Sequence, residues 1–335
     1  MIFLTGGSGL LGGHVLLNLL SNGFEVKALK RSSTQLSAIQ RLFERNDSLD
    51  LFDKTNWVDG DLNDPQFLEK EIAECETVIH CAAVVSFNSI DNQAMFQSNV
   101  IGTENLVNAC LVNDVRRLIY ISSTSAIGKQ KAGITIDEKL FWEEGMKNSF
   151  YSFTKYRAEL EVWRGAEEGL STVILNPAVI IGPGEWGKSS TNIFITMWNG
   201  LKFFTSGSNA FVDVRDVARI VAIFIDHPLK NERFLLFSEN KSFKELFEYI
   251  ADSLGKPKPS IKANRTMTAL AWRGAWVWSK ISGKPTGITR ETAKSANSKQ
   301  LYTNQKIKDA LGIDFIPVKQ SIADTAAIFL QERKK

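Results

Sequence analysis

The chain has 335 residues, 44% of them hydrophobic and 23% charged, and carries a net charge of +3 at pH 7. This profile suits a globular protein with one sizeable domain and an annex, and it excludes disordered, collagenous and disulfide-scaffolded chains. Cys75, Cys81 and Cys110 are odd in number and lack CxxC or metal-ligand spacing, which predicts reduced thiols in a cytoplasmic setting and no metal site. The first apolar run starts at Met1 and none reaches the ~18 residues of a membrane span, so neither a leader peptide nor a spanning helix is expected.

Residues 1–5, apolar through Leu4, run into Gly6-Gly7-Ser8-Gly9-Leu10-Leu11-Gly12, and Val15, Leu16, Leu19 and Leu20 then follow at helical spacing. Strand, glycine-rich turn and helix in that order form the setting of a dinucleotide fingerprint. Gly6, Gly9 and Gly12 allow a tight turn and close backbone approach, so Gly6, Ser8, Gly9, Leu10, Leu11 and Gly12 are the expected pyrophosphate cradle.

A second strand over 24–29 leads to Lys30 and Arg31. A carboxylate at this point would hold a ribose 2′-hydroxyl; two cations suit a 2′-phosphate, so NADP (NADPH) is favoured over NAD. Further strands are predicted over 56–58, 77–80, 117–121 and 172–176, with helices between them. That alternation predicts an α/β, Rossmann-type doubly wound parallel sheet. Residues 1–176 form the expected NADP-binding domain. Residues 177–335 form mainly a smaller C-terminal substrate-binding domain, with segments returning to the core, among them a strand over 233–237 and a helix over 243–254.

Ser122-Ser123-Thr124 follows the strand at 117–121, and Tyr151 and Lys155 stand four apart further on. Positions i and i+4 share a helix face, and a nearby ammonium favours a phenolate, so the pair suggests proton transfer with a carbonyl or alcohol. The pattern alone also fits two solvated surface residues.

Taken with Thr5-Gly6-Gly7-Ser8-Gly9-Leu10-Leu11-Gly12, these residues resemble the extended short-chain dehydrogenase/reductase family. Gly60-Asp61-Leu62, Val78-Ile79-His80-Cys81-Ala82-Ala83, Asn99-Val100-Ile101-Gly102-Thr103, Tyr120-Ile121-Ser122-Ser123, Leu175-Asn176-Pro177 and Phe211-Val212-Asp213-Val214-Arg215-Asp216 are similar to its successive motifs. The resemblance implies that Ser123 binds the substrate oxygen, that Tyr151 passes the proton, and that Lys155 lowers the tyrosine pKa and bonds the nicotinamide ribose. It also implies that Asn99 holds a water linking Lys155 to solvent. Cofactor contacts are implied for Asp61, Leu62, Ala82, Ala83, Val84, Pro177 and Val179.

Thr124 and Ser125 replace the Asp-Glu pair of the family's dehydratases, and Asn209 replaces an arginine common in its sugar-nucleotide epimerases. The remaining resemblance is to dihydroflavonol-reductase-like members, which implies a reductase of fairly apolar ketones or aldehydes. An NDP-sugar epimerase with retained cofactor is the alternative, and a non-catalytic dinucleotide sensor the third reading. Phe87, Thr124 and Trp186 are the expected substrate contacts, with Trp142, Phe194, Trp198, Phe203 and Phe204 as further candidate pocket walls. His14, His80 and His227 are expected to be structural.

Residues 1–176 carry 16 basic and 23 acidic residues, and residues 177–335 carry 24 and 14. Solvation of surface helices and loops accounts for such an excess, with an anionic substrate or an acidic surface partner as the functional alternative, and no nucleic-acid motif accompanies it. In the stretch 267–281, Met267, Leu270, Gly274, Trp278 and Ile281 fall at helical spacing. Buried packing or a dimer contact is expected there, with a surface-membrane helix as the alternative. The family habit implies a homodimer through the fourth and fifth helices.

Overall fold

The computed structural model describes residues 1–128, 135–143, 148–282 and 289–334. The described strands are β1 (Ile2–Thr5), β2 (Val26–Lys30), β3 (Asn56–Asp59), β4 (Thr77–His80), β5 (Arg117–Ile121), β6 (Thr172–Pro177), β7 (Val179–Ile181), β8 (Phe203–Phe204), β9 (Ser208–Asp213), β10 (Glu232–Leu236), β11 (Glu239–Ser242) and β12 (Ile261–Lys262). Seven of them form one parallel sheet in the order β10-β6-β5-β4-β1-β2-β3. The order reverses around β1, and β1, β4, β5 and β6 are buried along their whole length, as strands covered on both faces must be.

Helix Leu10–Ser21 packs on helix Val214–Ile223, joining Val15, Leu16 and Leu19 to Val217, Ile220 and Val221. The other face is covered by helices Gly102–Val112 and Phe150–Glu167, through Leu106, Val107, Ala158 and Val162. Both β10 and helix Val214–Ile223 come from beyond residue 177, so the second half of the chain completes the sheet begun by the first.

A smaller sheet, β11-β9-β7, lies with helices Asn192–Trp198, Phe243–Leu254 and Val318–Lys334 around Phe194, Phe211, Ile250 and Phe329. Helix Phe243–Leu254 starts at a reciprocal cap between Ser242 and Glu245 and ends at Gly255 in the left-handed region, φ 64°.

The stretch at 267–281 lies in helix Arg265–Ser282, but its apolar face is turned outward, with Leu270 71% and Trp278 64% exposed. This corrects the expectation of packing within the chain. The side chains of Trp276, Lys280 and Ile281 lie outside the described ones.

Candidate active site

The C-terminal ends of the parallel strands share one edge of the sheet, where the glycine loop, the loop after β4, the serines after β5 and the turn after β6 meet. Gly6 has φ +74°, and a Cβ there would lie 2.6 Å from the Ala82 amide nitrogen; at Gly12 it would lie 2.0 Å from the Gly6 carbonyl oxygen. The loop is therefore pressed against Ala82 on one side and helix Leu10–Ser21 on the other. That helix begins at Gly9 with no side-chain cap and no acid in its first turn, so its free amides form a cradle for an anionic pyrophosphate. Leu10 touches the Gly182-Pro183-Gly184 turn, whose Gly184 leaves no room for a Cβ beside the leucine.

At the end of β2, Lys30 is already engaged, its ammonium 2.5 Å from Asp59 Oδ1. Arg31 is exposed and, among the described residues, without an ion-pair partner. Of the two cations expected at a 2′-phosphate, Lys30 thus pairs with Asp59 of β3 while Arg31 stands exposed. Asp61 accepts the Asn63 amide at 2.9 Å in a local turn, and buried Leu62 receives Asn105 Nδ2 on its carbonyl at 3.0 Å. Pro177 ends β6, Ala178 donates to the Leu236 carbonyl at 3.0 Å, and Val179 opens β7.

Ser123 heads a short 3-10 turn (Thr124–Ala126); its hydroxyl oxygen accepts the Ser125 amide at 3.1 Å and hydroxyl at 2.9 Å, while its carbonyl accepts Asn176 Nδ2 at 3.0 Å. The Tyr151 phenol lies beside these serines. Burial raises its pKa, and the Ser123 and Ser125 hydroxyls pull the other way. The Phe87 ring stands edge-on to Tyr151 with centroids 6.1 Å apart. Trp142 stacks on Tyr156 of the same helix at 4.6 Å.

Lys155 is 1% exposed. Its ammonium donates to the Ile121 carbonyl at 2.8 Å and sits 4.4 Å above the Tyr120 ring. Burial brings its pKa down to about 7, opposed by Glu159 and Cys81. The lysine's four-carbon stem thus carries its charge to the end of β5, while burial and the two serine hydroxyls are the groups that act on the Tyr151 phenol.

Asn99 sits in a π-helical turn, Gln97–Ile101, inside an otherwise α-helical stretch. Its Oδ1 accepts the Val84 amide at 2.7 Å, and its Nδ2 donates to the Val84 carbonyl at 2.9 Å and to Thr154 Oγ1 at 3.1 Å. With these bonds its side chain braces the loop after β4 against the Tyr151 helix.

Trp186 is not brought into this cluster. Its indole donates to Glu332 Oε2 at 2.7 Å and packs edge-on to Phe329 at 4.9 Å, in the core around the smaller sheet. A half-buried indole N–H needs an acceptor, and the C-terminal helix supplies one. Thr124 stands beside Tyr302, whose buried phenol is pushed up to about 12 and donates to Gln300 Oε1 at 2.6 Å.

Three groups escaped sequence reasoning. Glu159 is 2% exposed and accepts from Asn176 Nδ2 at 2.5 Å and from Arg233 Nη1 at 3.4 Å. Its spacing of four from Lys155 was a readable signal. Tyr302 and Gln300 arrive from far along the chain and carried none. The three histidines take structural places: His80 bridges Thr5 Oγ1 at 2.6 Å and Thr103 Oγ1 at 2.9 Å and is lowered to about 3 by burial, His14 bonds the Leu10 carbonyl, and His227 caps the Leu229 amide.

A glycine cradle at the switch point of a parallel sheet, beside half-buried Ser123 and Tyr151 and buried Lys155, defines an NAD(P)-dependent enzyme of the Rossmann class. The family is shown by its model: residues 2–236 match that of the NAD dependent epimerase/dehydratase family, and the chain belongs to it. It is 29% identical to a putative dihydroflavonol 4-reductase of Synechocystis sp. over 98% of this chain and 94% of that one. It is 26% identical to cinnamoyl-CoA reductase 1 of Petunia hybrida, over 99% and 92%. Among solved structures, gox2253 matches with a TM-score of 0.83 and 26% identity, covering 99% of this chain and 98% of that one.

Proposed function

We propose that the protein is an NADPH-dependent reductase that transfers hydride to the carbonyl of a small, fairly apolar substrate. The observation that carries this reading is the convergence of Ser123, Tyr151 and Lys155 beside the glycine cradle. In it, Ser123 donates to the substrate oxygen while Ser125 fills the serine's acceptor positions, and Tyr151 delivers the proton. Lys155, released from the Ile121 carbonyl, binds the nicotinamide ribose. The cofactor supplies the hydride chemistry.

Arg31, exposed at the end of β2, supports a 2′-phosphate ligand and hence NADP over NAD. Phe87 beside Tyr151 and Thr124 beside Tyr302 supply an apolar wall and a polar contact for substrate. The reductase names of the two relatives, and Asn209 and Thr124 at positions where other branches differ, favour this over sugar-nucleotide chemistry. Unpaired Cys75, Cys81 and Cys110 support a cytoplasmic setting. Exposed Phe153 and Leu160 on helix Phe150–Glu167 and Val112 at the end of its neighbour support a homodimer through that helix pair.

The test is NADPH oxidation with a panel of aromatic and aliphatic ketones and aldehydes, run beside NADH. Tyr151→Phe should lower kcat by roughly 10²–10⁴-fold while leaving NADPH binding intact. Turnover of a sugar nucleotide without net NADPH consumption, or unchanged turnover in Tyr151→Phe, would defeat the proposal.

A further inference from the structure

Helix Arg265–Ser282 carries its apolar stripe on the outside. Met267, Leu270, Ala271, Gly274 and Trp278 repeat at one-face helical spacing and all are exposed, whereas Ala269, Trp272 and Ala275 are half-buried. Just ahead of it, paired β8 and β12 expose Phe203 and Ile261. A helix stabilised only by its own chain would turn this stripe inward.

The surrounding charge is one-sided. Residues 256–294 contain nine Lys and Arg and a single acid, a net charge of +8 in a chain whose total is +3. Among the described residues, Lys262 is exposed and has no ion-pair partner, and Arg273 stacks on Trp272 with its guanidinium donating to the Ala269 carbonyl. An apolar stripe bearing tryptophan and flanked by cations is complementary to a surface with an apolar interior and anionic headgroups. A second copy of this chain is a poorer occupant, because a two-fold contact would set the same +8 segment against itself. No described helix is long and apolar enough to cross a membrane, so the attachment lies in the membrane plane.

We propose that this helix docks the protein on an anionic lipid bilayer, with Leu270 and Trp278 seated at the acyl boundary and Lys262 and Arg273 at the headgroup phosphates. The attachment stands independently of the reaction proposed above.

Flotation of the full-length protein with phosphatidylcholine vesicles, with and without phosphatidylserine, tests it. The expected result is roughly tenfold or greater recovery on the anionic vesicles, falling at high salt. Leu270→Ser with Trp278→Ser, and separately Lys262→Glu with Arg273→Glu, should remove it while the thermal melt stays that of the wild type. Tryptophan emission of the wild type should be quenched by brominated acyl chains, a readout that needs no variant. Equal recovery with neutral and anionic vesicles, absence of quenching, or wild-type recovery of folded variants would overturn the proposal. So would concentration-dependent self-association that Leu270→Ser with Trp278→Ser abolishes while vesicles recruit nothing.

Discussion

Replacing Glu159 by glutamine should change both the stability of the protein and the pH response of Lys155. Glu159 is buried against Asn176, Arg233 and Ser122, and its charge raises the Lys155 pKa against the burial that lowers it. Glutamine keeps the shape and can still accept from Asn176. It removes the counter-charge and turns an amide donor toward the Arg233 guanidinium. Deleting one partner of a buried pair costs about 3–5 kcal/mol. Arg233 also donates to the Glu138 and Leu140 carbonyls, which continue to satisfy it, so the lower end, about 3 kcal/mol, is expected in urea unfolding.

The pH effect has a defined sign. The ammonium is lost as pH rises through its folded pKa of about 7, and without Glu159 that loss must come at lower pH. The alkaline limb of kcat/KM for carbonyl reduction should therefore move to lower pH in Glu159→Gln. A limb that stays in place or moves up, in a variant of demonstrably weakened stability, would refute the coupling.

Gly12→Ala places a methyl 2.0 Å from the Gly6 carbonyl and should abolish cofactor binding by calorimetry while the variant remains folded by circular dichroism. Lys155 is held near 7 when folded against an ordinary 10.5, so the unfolded chain binds more protons between those values and stability rises with pH across that window. Lys155→Met should flatten that rise in unfolding measured at a series of pH values. Phe329, fully buried among Trp186, Phe194 and Trp198, should cost about 3–5 kcal/mol on truncation to alanine, with the loss read as a lower urea midpoint.

The sheet was legible because its strands are short, almost wholly apolar runs separated by helical patterns; the predicted 77–80 and 117–121 coincide with β4 and β5. The glycine loop was legible because only glycine tolerates the Gly6–Ala82 and Gly12–Gly6 approaches. Side-chain direction was not. Spacing put Tyr151 and Lys155 on one face but could not show that Lys155 reaches back to Ile121, nor that Lys30 pairs with Asp59. Trp186 was misplaced and Tyr302 missed for a related reason: their partners, Glu332 and Gln300, are set by how the last third of the chain returns, which no local pattern encodes. The stripe at 267–281 was readable as a helix, while its outward aim depends on what the rest of the fold leaves uncovered.

The π-helical turn at Gln97–Ile101 has a mechanical consequence. By holding both Val84 and Thr154, Asn99 makes the loop flanking the glycine cradle and the helix bearing Tyr151 one rigid lever. Neither can swing without the other, so a fluctuation that loosens the grip on the dinucleotide also withdraws the phenol. Amide exchange at Val84 and across the first turn of the Tyr151 helix should consequently slow together when NADPH is added.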